Sequence, residues 1–202
     1  MLRHAVYLVL GSAIMALACG CACDRAQCEP VARESSEQPP TSENREQQPA
    51  KVEPPQAPRA STRVDIIPAL ATFAPGWMAK NCGAAMSPGI RDEMGRKNVL
   101  VTHPLSETVP CILGQRVDVL PNKQTTLHLV VGHHPEGDWV LAVTADRELV
   151  RKVIGKETST NGWVNVDVDL TEYAGRFVTI QLINAANGWS YEGAYWAKIE
   201  IE

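Results

Sequence analysis

Hydrophobic and polar residues alternate through the C-terminal part of the chain. The alternation is clearest in residues 163–170, 177–183 and 194–201. Successive side chains of a strand point to opposite faces, so these runs predict strands with one buried and one solvated face. By the same parity, Trp163, Phe177 and Trp196 would lie on outer faces, either as an aromatic platform or covered by loops.

Further apolar runs, separated by turn residues, predict more strands. They cover residues 66–73, 98–102, 111–119, 125–131, 139–145 and 148–154. The first run is a plausible strand despite Pro68, and no segment after the N-terminal twenty residues has a convincing helical period. About eight or nine strands in about 140 residues predict an all-β sandwich or barrel.

The N-terminus has the pattern of an export signal. Arg3 and His4 form a basic start, and residues 5–18 are largely apolar but shorter than the about 20 residues that span a bilayer. The small residues before Cys19 resemble a bacterial lipobox, so residues 1–18 are predicted to be a signal peptide and Cys19 to be lipidated. Cys21 is the alternative lipidation site. An anchored product would lie in the cell envelope, and the alternative is a secreted protein with an ordinary signal peptide.

Residues 19–63 are rich in Pro, Glu and Gln and have no apolar period. Such a segment cannot bury enough apolar surface to offset the entropy lost on ordering, so it is predicted to be a disordered tether. Its prolines favour an extended spacer. The predicted organisation is therefore a signal peptide at 1–18, a tether at 19–63 and a β-sandwich domain at 64–202.

Two cysteines, Cys82 and Cys111, lie within the predicted domain. In an exported protein two such cysteines usually pair, which predicts a disulfide. The bridge would attach the irregular stretch from residue 76 to residue 97 to the strand that begins at Cys111.

Residues 163–180, with Asp169-Leu-Thr-Glu-Tyr-Ala-Gly175 at their centre, resemble a signature of galactose-binding-domain-like jelly rolls. Residues 187–199 are similar to the last loop and strand of such modules. The resemblance implies a two-sheet jelly-roll sandwich, with Asp169 and Thr171 capping a tight bend, Tyr173 packed under it and Gly175 in the following turn. Members of this fold include carbohydrate-binding modules, and some hold a structural calcium. No other cofactor is expected.

The candidate ligand-binding residues are aromatic side chains with polar neighbours. Aromatic rings stack on the C–H faces of sugars, while carboxylates and amides bind their hydroxyls. The residues are Trp189, Tyr191, Glu192, Trp196, Asn187, Trp139 and His134. The alternative is that Trp189 and Tyr195 pack the closing loop onto the core.

Several kinds of chemistry find little support in the sequence. A net charge of −4 argues against nucleic acid as a partner. His133 and His134 are read as part of a polar loop, because adjacent side chains on a strand end point apart and rarely share a metal ion. Asp167 and Asp169 do not make a convincing pair for glycoside hydrolysis, so no catalytic residue is predicted.

Two functions therefore remain open. The first is an exported, lipid-anchored, non-catalytic binding module, with a glycan as the candidate ligand. The alternative is a structural or assembly lipoprotein of the envelope whose sandwich binds a protein partner. The first predicts accessible aromatics with paired polar groups, and the second predicts an exposed apolar patch of several hundred Å².

Overall fold

The structure is a computed structural model that describes residues 57–202. The predicted signal peptide, the candidate lipidation residues Cys19 and Cys21, and the tether as far as residue 56 lie outside the described residues. Within residues 57–202, no helix is long and apolar enough to cross a membrane.

Residues 57–202 form ten strands in two antiparallel sheets of five. The first sheet has the order β1 (Met78–Lys80), β4 (Cys111–Val119), β9 (Arg176–Ala185), β6 (Trp139–Ala145) and β7 (Arg147–Ile154). The second has the order β2 (Gly89–Glu93), β3 (Arg96–Thr102), β10 (Ala194–Ile201), β5 (Thr126–His133) and β8 (Trp163–Asp169). The predicted all-β, two-sheet jelly-roll sandwich is confirmed, with two short strands, β1 and β2, in the stretch predicted to be irregular.

The core lies between the two sheets. On β8, Val164, Val166 and Val168 are buried, while the residues between them are exposed. They join one large apolar cluster with β5, β6 and β9, to which Leu129, Leu141 and Ile180 belong. The alternation seen in the sequence is thus the inner and outer face of each strand.

The sequence predicted a strand over residues 66–73, and this prediction is wrong. The segment contains the short helix α1 (Ile67–Phe73). Pro68 lies in its first turn, where a missing N–H costs nothing, whereas in a sheet it would remove a ladder hydrogen bond. The carboxylate of Asp65 accepts a hydrogen bond from the backbone N–H of Ile67 at 2.9 Å. Only Leu70 is buried within the helix, so the helical period is too short to stand out in the sequence.

A β-bulge in β10 reverses the parity that the sequence predicted for Trp196. Trp196 pairs with Val131 and Lys198 with Val130, which leaves Ala197 as an extra residue. An extra residue shifts every following side chain to the other face. Trp196 is therefore in the core and fully buried, so its predicted outward position is wrong.

The other two aromatic residues predicted to face outward do so in different surroundings. Phe177 is 61% exposed on the first sheet, with the guanidinium of Arg116 4.7 Å from its ring centroid. Trp163 lies on the outer face of the second sheet but is covered, and its indole N–H donates to the carbonyl of Met94 at 3.3 Å. Its cluster includes Tyr195.

The turn predicted from the jelly-roll resemblance is present. Asp169 accepts a hydrogen bond from the backbone N–H of Thr171 at 2.8 Å, and the hydrogen bonds from Thr171 hold the pKa of Asp169 below its ordinary value. Tyr173 is buried and its hydroxyl donates to the carbonyl of Ala145 at 2.5 Å. Gly175 has a φ of +78°, which suits glycine.

The predicted disulfide between Cys82 and Cys111 is confirmed. Both cysteines are buried, and the bridge joins the chain after β1 to the start of β4. Residues at the end of the predicted tether also contact the domain. Ala60 forms a bridge with Ser106, and the N–H of Ser61 donates to the carbonyl of Leu105 at 2.8 Å.

Candidate functional site

Three loops at one end of the sandwich enclose a cleft of about 700 Å³. They connect β5 to β6, β7 to β8 and β9 to β10. The side chains that line the cleft are mostly polar, with one tryptophan. Its lining comprises Pro135, Glu136, Gly137, Asp138, Val153, Gly155, Lys156, Glu157, Thr158, Gly188, Trp189, Ser190 and Glu192. A cavity of this size is within the range of about 300–1,000 Å³ typical of small-ligand sites.

Trp189 is the aromatic residue of this cleft, and it is only partly buried. The rings of His103 and Trp189 pack in a T-shaped arrangement, with centroids 5.2 Å apart and an interplanar angle of 80°. Nδ1 of His103 donates to the carbonyl of Pro104 at 2.7 Å, because a carbonyl only accepts. Burial lowers the pKa of His103, which favours the neutral form of the ring beside Trp189.

Glu192 organises the β9–β10 loop from within. Its side chain is buried, and one carboxylate oxygen accepts the backbone N–H of Asn187 at 2.8 Å. Burial raises the pKa of Glu192, the nearby Asp138 adds to the increase, and the loop amides act against it. Asn187 in turn donates from its amide to Asp138 at 3.1 Å, which joins the β9–β10 loop to the β5–β6 loop.

A chain of buried hydrogen bonds connects this loop to the core. The indole N–H of Trp196 donates to the hydroxyl of Thr102 at 3.0 Å, and that hydroxyl donates to Asn184 at 3.2 Å. The amide of Asn184 donates to the carbonyl of Glu192, also at 3.2 Å. Satisfied buried networks of this kind fix one conformation. The cleft is therefore held in place by the sandwich itself.

Tyr191 and His134 form a second aromatic feature beside the cleft. Their rings are parallel within 6°, with centroids 4.3 Å apart, and Tyr191 is 46% exposed. Tyr191 has a φ of 59°, which is strained for a bulky residue. Gly137 makes the approach of the two loops possible, since a Cβ there would lie 2.5 Å from both Cβ and the carbonyl oxygen of Tyr191.

Two of the predicted binding residues are structural instead. Trp139 and Trp196 are both fully buried, with ring centroids 5.3 Å apart, so neither ring is available to a ligand. The indole N–H of Trp139 donates to the carbonyl of Gly132 at 2.9 Å. Both rings belong to the core of the sandwich, and Trp196 supports the site through the hydrogen bonds described above.

The other polar residues considered from the sequence are engaged elsewhere. His133 is buried, and its Nε2 lies 2.9 Å from the hydroxyl of Ser159, whereas the ring of His134 stacks on Tyr191. Asp167 contacts His128 at 2.7 Å on the outer face of the second sheet. Among the described residues, no three His, Cys, Asp or Glu side chains are grouped as a metal site.

Sequence reasoning missed His103 and Gly137. His103 reaches Trp189 from the β3–β4 connection, far away in the chain, and nothing in its local sequence indicates that contact. Gly137 was visible only as part of a turn, and its importance depends on the backbone of Tyr191 lying against it. Asp138 is not among the predicted ligand-binding residues either, and it is the hydrogen-bond partner of Asn187.

Comparison with known proteins gives structural similarity alone, since no protein family and no curated protein matches the chain. The K1 cleaved adhesin domain of Lys-gingipain from Porphyromonas gingivalis W83 has a TM-score of 0.46 at 15% identity, over 64% of this chain and 92% of that domain. The CBM22-1 xylan-binding domain of Xyn10C from Paenibacillus barcinonensis has a TM-score of 0.44 at 12% identity, over 64% and 86%. A family 35 carbohydrate-binding module from an environmental isolate has 0.38 at 16% identity, over 71% and 84%. At these values the function has to be argued from the site.

Proposed function

We propose that this protein is an exported, lipid-anchored, non-catalytic binding module whose loop-end cleft binds a neutral carbohydrate. The observation that carries the proposal is the partly exposed ring of Trp189 in the wall of a cleft of about 700 Å³. The ring is supported from behind by His103, so it does not need to be ordered when a ligand binds. Preorganised contacts of this kind reduce the entropic cost of binding.

Polar groups around Trp189 favour a hydroxylated ligand. Asn187 and Asp138 are exposed or partly exposed, and each has hydrogen-bonding capacity left beyond the bond between them. Asp138 lines the cleft together with Glu136 and Glu157, whereas Asn187 lies beside it, and the single basic residue of the lining is Lys156. Because like charges at an interface are repelled, this lining favours neutral sugars over uronic acids and sulfated polymers.

Two carboxylates of the cleft have structural partners, which supports binding without catalysis. Glu192 is buried and bonded to the backbone of its own loop, and Asp138 is bonded to Asn187. A glycosidase needs two carboxyl groups facing each other across the scissile bond, about 5–9.5 Å apart. Here the two groups serve to hold the loops together.

The proposal is tested by a glycan-array screen of the purified protein, its Trp189→Ala variant and its Phe177→Ala variant. Phe177 is the matched control, because it is an exposed aromatic residue at the other end of β9 from the cleft. We expect neutral glycans to bind to the wild type and to Phe177→Ala but to lose about tenfold or more in affinity with Trp189→Ala, as expected for one aromatic contact. Equal losses in the two variants, or no glycan bound by the wild type, would contradict the proposal.

Export and anchoring rest on different observations. The Cys82–Cys111 disulfide supports an oxidising compartment, and the small residues before Cys19 support a lipid anchor. Mass spectrometry of the membrane fraction should find acyl chains on Cys19, and Cys19→Ala should release the protein or leave it unprocessed. If only Cys21→Ala has that effect, the anchor is at the second cysteine, and a soluble wild type would favour a secreted protein.

The alternative, an envelope protein partner, finds weaker support in the described residues. The exposed apolar side chains on strands of the first sheet lie apart: Met78 at 59% and Val153 at 37% are on its opposite edge strands, and Phe177 at 61% is near the start of the middle strand. They therefore do not make one continuous patch of the kind that marks a protein interface. An envelope pull-down that recovers a partner with both wild type and Trp189→Ala, together with a blank glycan array, would favour this alternative.

A further inference from the structure

A second depression lies directly beside the cleft of Trp189. It has a volume of about 460 Å³ and is lined by Tyr191 and His134 together with Met86 and Arg91. Pro135 lines both depressions, so they share a wall. Trp189 and Tyr191 belong to the same loop, two residues apart, and each lines a different depression. The two rings are therefore neighbouring surfaces at one end of the sandwich.

The ring of Tyr191 is fixed by a neighbouring histidine ring, as that of Trp189 is. His134 stacks on one face of it, and almost half of the tyrosine is exposed. Its strained φ of 59° persists because Gly137 lets the neighbouring loop lie against its backbone. Strained residues held by their surroundings are concentrated at binding sites. Core packing does not explain why an exposed aromatic ring is kept at a strained φ, with His134 stacked on it and Gly137 against its backbone.

We propose that the two depressions form one extended surface for an oligosaccharide chain, with one sugar on Trp189 and another on Tyr191. This rests on the proposed function and deepens it. A polymer repeats its sugar faces along its length, which matches two aromatic rings on one loop. Two linked contacts also make the second binding event intramolecular, which raises the overall affinity. The protein then recognises a stretch within a chain rather than a single terminal sugar.

The test is calorimetric titration of the whole protein with neutral oligosaccharides of increasing length. The probes are linear xylose, glucose and N-acetylglucosamine series with β-1,4 linkages and a glucose series with α-1,4 linkages, each from one unit to six. We expect the affinity for one series to increase by about tenfold or more between the shortest and the longest member, the factor of one further aromatic contact.

Variants of Tyr191 assign the gain to its ring. Tyr191→Gly removes the ring and relieves the strained φ, so the variant is expected to fold. It should lose most of the affinity gained with length and leave binding of the shortest member almost unchanged. Tyr191→Phe keeps the ring and should bind like the wild type. Trp189→Ala should lower the affinity for every length.

The possible outcomes separate the two proposals. Affinity that does not depend on length, or a Tyr191→Gly variant equally weakened for all lengths, would overturn the extended surface and leave the proposed function standing. A wild type that binds no member of any series and no glycan on an array would overturn both. Length dependence that disappears in Tyr191→Gly supports both.

Discussion

Breaking the Cys82–Cys111 bond should destabilise the domain by an amount that can be calculated from the chain it closes. The cysteines are 29 residues apart, which corresponds to about 12 cal/mol/K of chain entropy removed from the unfolded state, or about 3.6 kcal/mol at 25 °C. The perturbation is the double variant Cys82→Ala/Cys111→Ala. Both sites are buried, so alanine avoids the buried hydroxyl that serine would introduce.

Losing two buried sulfur atoms leaves a small cavity, which adds about 1 kcal/mol to the loss. The assay is equilibrium unfolding in urea, followed by tryptophan fluorescence, with and without a reductant that acts on the unfolded chain. Without reductant the variant should be about 4–5 kcal/mol less stable than the wild type. For about 150 residues this corresponds to a decrease in Tm of about 10–15 °C.

With reductant the wild type loses the crosslink too, so the difference should shrink to the cavity contribution of about 1 kcal/mol. The remaining cysteines of the chain are present in both proteins and do not affect the comparison. A loss below about 1 kcal/mol without reductant would refute the reasoning. It would mean that the unfolded chain between the two cysteines is already restricted, for instance by the β2–β3 hairpin.

Three further outcomes are expected. Deleting Ala197 should leave the fold intact, because Lys198 would then follow Trp196 directly and keep its pairing with Val130, so the apolar residues after it still face the core. Circular dichroism of the variant would check this, and a loss of the strand signal would contradict the parity argument. Tyr173→Phe should cost about 1 kcal/mol in urea unfolding, since its hydroxyl bonds the carbonyl of Ala145, and an unchanged midpoint would show that this bond contributes nothing. Burial raises the pKa of Glu192, so the folded state holds the proton of this carboxyl more tightly than the unfolded chain does. The wild type should therefore lose stability relative to Glu192→Gln as the pH rises above 4.5, the ordinary pKa of a glutamate. Unfolding free energies of both proteins from pH 4 to 8 check this, and a difference that grows in the opposite direction would contradict it.

The strands that could be predicted from the sequence are those whose burial follows a strict period of two. Residues 163–169 alternate between buried and exposed, and the predicted bounds of the strands at 111–119 and 139–145 agree with the structure. Helix α1 was not predicted because it is so short that only one buried residue, Leu70, indicates a helical period. Strands β1 and β2 were not predicted because they have only three and five residues, too few to establish a period of two.

The candidate site shows why sequence parity fails where function requires irregular backbone. One extra residue, Ala197, moved Trp196 from the predicted surface into the core, where its indole supports the loop that carries Trp189. The residues that define the site, Trp189 and Tyr191, lie in a loop with no period at all, and their exposure depends on His103 and Gly137 from distant loops. A regular strand would present residues two positions apart on one face, whereas this loop, held by those long-range contacts, places Trp189 and Tyr191 in two neighbouring depressions. The same departure from regularity that made the site hard to predict is what the proposed binding requires.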